Sequence, residues 1–323
     1  MRETSAENMV RAGADTVFCG LEKQARGNDP RMSTGAAKKN LLETVIHGIF
    51  LILGLITVAC VLLITVYLVL SGLPAIGKIG LTKFLFGKTW ASTAAQPAFG
   101  ILPFILTSVY GTAGAIAVGV PIGFLTAVYL AKMAPAGIRA VVGGAVSLLA
   151  GIPSVVYGLV GMLVLVPGIR KLFHMPDGAS LLAAIVVLAV MILPSIIKVS
   201  VTALEAVSKE YEDASLALGA TPVETWFRVS VPAAKSGIAA SVVLGVGRAI
   251  GEAMAVMMVS GNVANMPSLF ESVCFLTTAV AKEMSYSSGL QRQALFSIAL
   301  VLFLFIMLIN AVLNFFLKRD KEG

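Results

Sequence analysis

The chain has 323 residues, of which 58% are hydrophobic and 13% are charged, about half the charged share of a typical soluble domain. This composition excludes an ordinary soluble fold and indicates a membrane protein. The formal net charge is +7, but Lys and Arg lie between long apolar runs, so an inside-positive membrane topology explains them better than nucleic-acid binding does.

The apolar runs predict six transmembrane helices, because about 20 apolar residues cross a bilayer. Residues 1–40 contain no apolar segment, so we expect a flexible cytoplasmic arm and no cleaved signal peptide. In the second run, Gln96, Pro97 and Pro103 place the start of the helix near Gly100. The predicted spans are residues 48–70, 91–131 (with its helix starting near 100), 140–169, 178–197, 237–259 and 294–317.

The basic residues predict the orientation of these spans. With both termini in the cytoplasm, the inside segments hold 16 Lys and Arg and the outside loops hold seven. Cytoplasmic segments carry such an excess. We therefore expect an all-α integral membrane protein with a six-helix domain over residues 41–317 and a cytoplasmic tail over 318–323.

Prolines interrupt three of the predicted spans. Pro121, Pro153 and Pro194 each remove an intrahelical hydrogen bond, so we expect a kink or a helix end at each. Such kinks could serve movement of the bundle, or they could reflect only loop entry and packing.

The longest cytoplasmic loop, residues 202–236, predicts two short helices joined at a glycine. Ser208 can cap the first helix, and acidic residues fill its first turns. Gly219 can take the left-handed conformation that ends a helix. A Thr-Pro-Val-Glu run that begins at Thr221 forms a capping box for the second helix, and we expect Pro232 to end it.

These residues resemble the EAA loop of permeases of binding-protein-dependent ABC importers, written E-A-A-x3-G-x9-I-x-L-P. Here Asp213-Ala-Ser-Leu-Ala-Leu-Gly219 is followed after nine residues by Val229-Ser-Val-Pro232, with mild departures at four consensus positions. In that family the loop is a coupling helix that sits in a groove on the cytoplasmic ATPase. The alternative is a structured loop with no partner. The resemblance implies these ATPase-docking residues: Glu212, Asp213, Ala214, Leu218, Gly219 and Ala220.

Other segments are similar to the phosphate-specific importer permeases of the PstC type. They are Ala150-Gly-Ile-Pro-Ser-Val-Val-Tyr-Gly-Leu159, the run from Gly245 to Val256, Gly261-Asn262, and Phe84-Leu-Phe-Gly87. The resemblance covers about residues 40–317. It implies a MetI-like permease fold in the bacterial inner membrane, inorganic phosphate as the substrate, and no catalytic role for this chain.

The resemblance also implies partners. These are a second permease of the PstA type, two copies of a cytoplasmic ATPase, an external phosphate-binding protein and membrane lipid.

Two charges lie inside the fifth predicted span. Arg248 is its central residue, where a charge costs about 2.5 to 3.5 kcal/mol, so it needs a partner or a polar cavity. Glu252 follows four residues later, on the same helical face, and an internal salt bridge could neutralise both. Nearby glycines would let a helix or a ligand approach: Gly245, Gly247 and Gly251.

The same pair favours an anion site. A guanidinium matches phosphate oxygens in a bidentate manner, and a carboxylate can accept the protons that phosphate keeps near neutral pH and sulfate lacks. The resemblance likewise implies that Arg248 and Glu252 lie on the translocation path.

Other motifs are weak. Gly87-Lys88-Thr89 imitates the end of a P-loop, but Thr82 occupies the position of its first glycine, so we expect no nucleotide site. His47 and His174 are the only histidines, and we expect no metal site or cofactor. The three cysteines share no C-x-x-C spacing, so we expect isolated thiols: Cys19, Cys60 and Cys274.

Two other functions remain open at this point. A secondary anion carrier could use Glu252 as a proton relay, without any ATPase. A membrane scaffold or sensor could use residues 1–40 for signalling.

Overall fold

A computed structural model describes residues 30–319, and the side chains within that range apart from those near its ends. The chain divides into two units, Met1–Thr65 and Val66–Gly323. The first unit contributes the start of helix α1, which runs from Pro30 to Ile79 and so begins within the predicted arm. Residues 1–29 of that arm and the last four residues of the predicted tail lie outside the described part.

The described chain is helical apart from one short hairpin and the connecting loops. Its first part contains α1 Pro30–Ile79, α2 Leu81–Phe86, β1 Trp90–Ala91, β2 Ala98–Phe99, α3 Leu102–Val128 and α4 Ala136–Gly151. The two strands pair antiparallel, with Trp90 opposite Phe99. Helix α3 continues through a π-helical turn, Tyr129–Met133.

The remaining helices complete the bundle and the long loop. They are α5 Ser154–Val160, α6 Val166–Leu172, α7 Leu181–Glu205, α8 Lys209–Ala217, α9 Pro222–Thr225, α10 Val231–Ala233, α11 Lys235–Gly251, α12 Met254–Val259, α13 Leu276–Glu283 and α14 Gly289–Arg319. A π-helical turn, Gly161–Leu165, joins α5 to α6, and a second, Trp226–Ser230, joins α9 to α10.

The predicted all-α membrane architecture is confirmed. Five helices of the described chain are long and apolar enough to cross a membrane, and a sixth is counted when α9–α10 and α11, bent by 71°, are taken as one span. Large apolar side chains remain exposed on the helices, for example Val141 at 74%, Leu148 at 75% and Val164 at 68%. Such exposure suits helices whose outer faces contact lipid tails.

The third predicted span, residues 140–169, is not one helix. Helix α4 ends at Gly151, Ile152 is extended with ψ 128°, and the membrane-crossing segment is Ser154–Leu172. Pro153 explains the break, because proline lacks an N–H and disfavours the helical conformation in the residue before it. Pro121 and Pro194 instead lie within α3 and α7, so only one of the three prolines ends a helix.

The fifth predicted span, residues 237–259, is also broken. Helix α11 ends at Gly251, and α12 begins at Met254 after an extended Glu252. The preceding helical stretch, Pro222–Ala233, ends one residue after Pro232, close to its predicted end, and the chain bends by 71° before α11.

Helix α7 lies at the centre of the bundle and packs against α3 and α11. Glycines on α3 allow a close approach to α7. A Cβ added at Gly114 would lie 2.6 Å from Ile185 Cδ1, and one at Gly119 would lie 2.8 Å from Ile192 Cδ1. Larger residues at these positions would force the two helices apart.

The two ends of α3 meet different parts of the protein. At its start, the Leu102 N–H donates to the Gly87 carbonyl at 3.1 Å, beside the hairpin. Just beyond its end, Lys132 in the π-helical turn pairs with Glu212 of α8. A helix of 27 residues is about 40 Å long. The hairpin and α8 therefore lie at opposite ends of one membrane-spanning helix.

Candidate functional site

The local structure predicted for the long loop is confirmed. Ser208 caps α8, its Oγ accepting the Glu210 N–H at 3.4 Å. Gly219 has φ +87°, the left-handed conformation. Thr221 and Glu224 form the capping box at α9, with the Thr221 N–H donating to Glu224 Oε2 at 3.0 Å. Two short helices joined at a glycine therefore form a defined element.

Helix α8 presents an exposed surface that includes apolar side chains. It contains no buried residue, and Leu218, directly after it, is 90% exposed. Asp213, Ala214 and Gly219 are also exposed, whereas Ala220 is half-buried. An apolar side chain held this far into solvent on a capped helix is typical of a protein-binding surface.

Glu212 lies on the inner side of the loop, not on the outward side that a docking residue needs. Its Oε1 accepts from Lys132 Nζ and, at 2.8 Å, from Ser230 Oγ. Partial burial raises the pKa of this carboxyl, but the hydrogen bonds and the Lys132 and Lys209 charges outweigh it, and the net pKa is lowered. Glu212 thus fastens α8 to the end of α3.

Arg248 lies in the last turn of α11 and is half-buried. Its Nη1 donates to Ser195 Oγ on α7 at 3.3 Å. A cation is favoured there because the last carbonyls of a helix carry partial negative charge. The ion pairs of the described residues are Lys132–Glu212 and Arg139–Glu205, so Arg248 is not neutralised by an internal salt bridge with Glu252.

Glu252 lies in the break between α11 and α12. It therefore does not share a helical face with Arg248, although the sequence had predicted that it would. Its backbone is extended, with φ −73° and ψ 129°. Its Oε1 accepts the Ala255 N–H at 2.9 Å and so caps α12, while its carbonyl accepts from Thr277 Oγ1 at 2.8 Å. The carboxylate is therefore held at the break by its hydrogen bond to the start of α12.

The glycines around Arg248 divide into two groups. An added Cβ at Gly245 would lie 3.1 Å from Ile196 Cγ1, so Gly245 serves the packing of α11 on α7. An added Cβ at Gly247 or Gly251 meets no atom within 4 Å. The face of α11 beside Arg248 is therefore open to a ligand or to another chain.

Three contacts were not predicted: Ser195 with Arg248, Thr277 with the backbone carbonyl of Glu252, and Lys132 with Glu212. Ser195 follows Pro194 inside an apolar helix, and a hydroxyl at that depth could have been noted as a possible partner. Lys132 was considered only as one of the basic residues that predict the orientation of the spans. Thr277 lies 25 positions from Glu252, and its sequence context carries no signal of the contact.

Comparison with known proteins places the chain in a family. Residues 119–319 match the family described as binding-protein-dependent transport system inner membrane component. The chain is 37% identical to the probable ABC transporter permease protein YqgH of Bacillus subtilis, over 80% of this chain and 86% of that protein. It is 33% identical to the phosphate transport system permease protein PstC of Haemophilus influenzae, over 79% of this chain and 86% of that protein.

Solved structures of ABC transporters share the fold. One is a bacterial alginate ABC transporter in complex with an alginate pentasaccharide-bound periplasmic protein, with TM-score 0.57 and 16% identity over 86% of this chain and 95% of that chain. Another is the MetNI methionine ABC transporter in an inward-facing conformation, with TM-score 0.51 and 20% identity over 68% of this chain and 94% of that chain.

Proposed function

Because the chain belongs to the binding-protein-dependent transport system inner membrane components, it is a multi-pass permease subunit of a bacterial ABC importer, and we propose that it carries inorganic phosphate inward. One observation carries the choice of an anion: Arg248, which has no ion-pair partner among the described residues, lies beside an open helix face in the apolar bundle. A cation within the membrane is costly unless it meets an anion or a polar cavity.

Phosphate suits the chemistry at this place. The Arg248 guanidinium has five N–H donors, and Ser195 accepts from Nη1, so donors of the other nitrogens remain available for an oxyanion. Glu252 uses Oε1 to cap α12, so its Oε2 remains available to a ligand. A carboxylate oxygen can accept a hydrogen bond from the proton that phosphate carries and sulfate lacks. The similarity to PstC proteins supports the same substrate.

Movement would begin at the exposed surface of α8, where two copies of a separate ATPase bind the permeases from the cytoplasm. The Lys132–Glu212 pair then transmits this movement from α8 to the end of α3. Helix α3 packs on α7, and Ser195 of α7 contacts Arg248. An external phosphate-binding protein delivers the anion, and a second, PstA-type permease faces the open side of α11. Both termini then lie in the cytoplasm.

The two other functions have less support. A proton relay at Glu252 would protonate the carboxylate that caps α12, and it would leave the exposed, capped α8 without a role. A scaffold or sensor would leave the unneutralised Arg248 unexplained.

Charge-preserving and charge-removing substitutions test the proposal. Arg248→Gln in a correctly assembled importer is expected to lower phosphate uptake at least tenfold, because the anion loses its cation in a low-dielectric site. Arg248→Lys keeps the charge without the planar fork and is expected to retain part of the uptake. Arg170→Gln, outside the bundle core, is the control. Normal uptake by Arg248→Gln would rule out the assigned site.

A further inference from the structure

A basic pocket lies at the start of α3, at the opposite end of that helix from α8. Its volume is about 530 Å³, and the end of α1, helix α2, the hairpin and Leu290 of α14 line it. Lys78, Lys83 and Lys88 all line it, and no acidic residue does. Three positive charges around one concave surface attract anions more strongly than three separated charges would.

The floor of the pocket is built from backbone in close contact. A Cβ added at Gly87 would lie 2.7 Å from Gly100 Cα, so only glycines allow the two segments to approach this closely. The Gly100 N–H donates to the Thr89 carbonyl at 2.9 Å, and the Ile101 N–H donates to the Phe84 carbonyl at 2.9 Å. The segment that carries Lys83 and Lys88 is therefore fixed on the start of α3.

The three charges are not neutralised within the described residues. Lys78 Nζ donates to the neutral Gln293 Oε1 at 3.3 Å, and none of the three lysines belongs to either ion pair found there. The predicted outside loops hold seven Lys and Arg in all, and the three in the first of these loops all line this pocket.

The Gly87-Lys88-Thr89 run belongs to this pocket but does not form a nucleotide site. A P-loop lysine is followed by a helix whose N–H groups hold the phosphates, whereas Thr89 here precedes strand β1. What the pocket offers is a set of ammonium groups, which bind phosphate oxygens as point charges and with little demand on geometry.

From this arrangement we infer that the pocket formed by Lys78, Lys83 and Lys88 binds a phosphate group on the outer side of the membrane. The group could be inorganic phosphate on its way to the translocation path or the headgroup of an anionic phospholipid, since both present the same oxygens. The assignment to the outer side rests on the proposed function, in which α8 faces the cytoplasm.

Binding measurements on the assembled permease–ATPase complex test this inference. The complex carries Arg248→Gln, which removes the proposed translocation site, and contains no external binding protein. In one arm it is placed in nanodiscs of zwitterionic lipid and titrated with inorganic phosphate by calorimetry. In the other arm the nanodiscs contain phosphatidylglycerol, and native mass spectrometry counts the lipid retained.

Three versions of the pocket are compared: the native lysines, all three changed to Gln, and all three changed to Arg. We expect binding in at least one arm, at least tenfold weaker with Gln and retained with Arg, and weaker at higher ionic strength. Lys171→Gln controls for the general loss of a basic residue. Binding in the first arm identifies inorganic phosphate, and binding in the second arm alone identifies lipid.

Absence of binding in both arms would overturn the inference, as would equal binding by the native and Gln versions. Equal loss in the Gln and Arg versions would also overturn it, because charge is the recognition element. These outcomes are independent of the proposed function, which uptake by the Arg248 variants tests in the presence of the native lysines.

Discussion

Arg248 and Glu252 are four residues apart, yet the break between α11 and α12 gives them different surroundings. Arg248 is stabilised by the carbonyl end of α11 and by Ser195 on α7. Glu252 caps the N–H end of α12. Each charged side chain thus makes one hydrogen bond within the protein, and the two charges do not neutralise each other. This leaves the guanidinium available to a substrate anion.

Glu252→Gln separates the charge of this side chain from its capping role. The amide oxygen of Gln can still accept the Ala255 N–H, so assembly and thermal stability are expected to stay normal. Phosphate uptake is expected to fall several-fold, and sulfate is expected to compete better, because the proton acceptor that distinguishes the two anions is lost. Competition between labelled phosphate and sulfate in uptake assays measures both.

The matched variant is Glu252→Ala, which also removes the cap and is expected to lower the stability by about 1 kcal/mol. If Glu252→Gln transported phosphate normally and still excluded sulfate, the carboxylate would serve α12 alone.

Glu212 makes a pH-dependent contribution to the attachment of α8. Its folded-state pKa lies below the ordinary value of 4.5, so its stabilising effect is present above that value and is lost as the pH falls through the folded-state pKa. The difference in melting temperature between the native protein and Glu212→Gln is therefore expected to be constant near neutral pH and to shrink below about pH 4.5.

Thermal unfolding of the detergent-solubilised chain across this range measures the effect. Glu210→Gln, an exposed acidic residue on the same helix, is the control. A difference that stayed the same in acid would mean that Glu212 does not act through its charge.

Among the elements, the capped loop and the helix end at Pro153 were predicted, and the break at Glu252 was not. Caps, the left-handed glycine and the proline at the start of α9 depend on residues within four positions, so local rules suffice. The helix end at Pro153 follows a local rule too, because the proline marks it in the sequence. At Glu252 the hydroxyl of Thr277, from a distant segment, donates to the backbone carbonyl, and the sequence around Glu252 reads as continuous helix.

The side of α8 that faces the protein was also beyond prediction from the sequence. Periodicity indicates which residues share a helical face, but not which face meets the rest of the chain. The resemblance grouped Glu212 with the docking residues, whereas its carboxylate binds Lys132, 80 positions earlier. Exposed Leu218 and Asp213 remain on the surface that is proposed to bind the ATPase.

Gly219 allows a test of the loop in which backbone conformation and side-chain size predict opposite results. An added Cβ meets no atom within 4 Å, so only φ +87° restricts substitution. Gly219→Ala is expected to cost roughly 1–2 kcal/mol, whereas the larger Gly219→Asn costs less because Asn tolerates the left-handed region. Co-purification of the ATPase and its stimulated hydrolysis are expected to fall more with Ala.

A greater loss with Asn than with Ala would contradict this account of the loop. It would mean that the space around Gly219 at the ATPase surface matters more than its backbone conformation.

At the scale of the whole molecule, one helix links the two functional ends. The start of α3 supports the pocket of three lysines, its end meets α8 through Lys132, and its length packs on the helix that holds Ser195. In the proposed function, a movement of α8 reaches Arg248 through these contacts between packed helices. ATP hydrolysis by a separate subunit would then control access to the proposed anion site.

The most direct test of this account is phosphate uptake by vesicles that contain the complete importer and the external binding protein, with and without ATP inside. The account predicts accumulation of labelled phosphate only with internal ATP, and at least tenfold less of it with Arg248→Gln under the same conditions. Uptake that needed no ATP and followed an imposed proton gradient would contradict it and would indicate a secondary carrier instead.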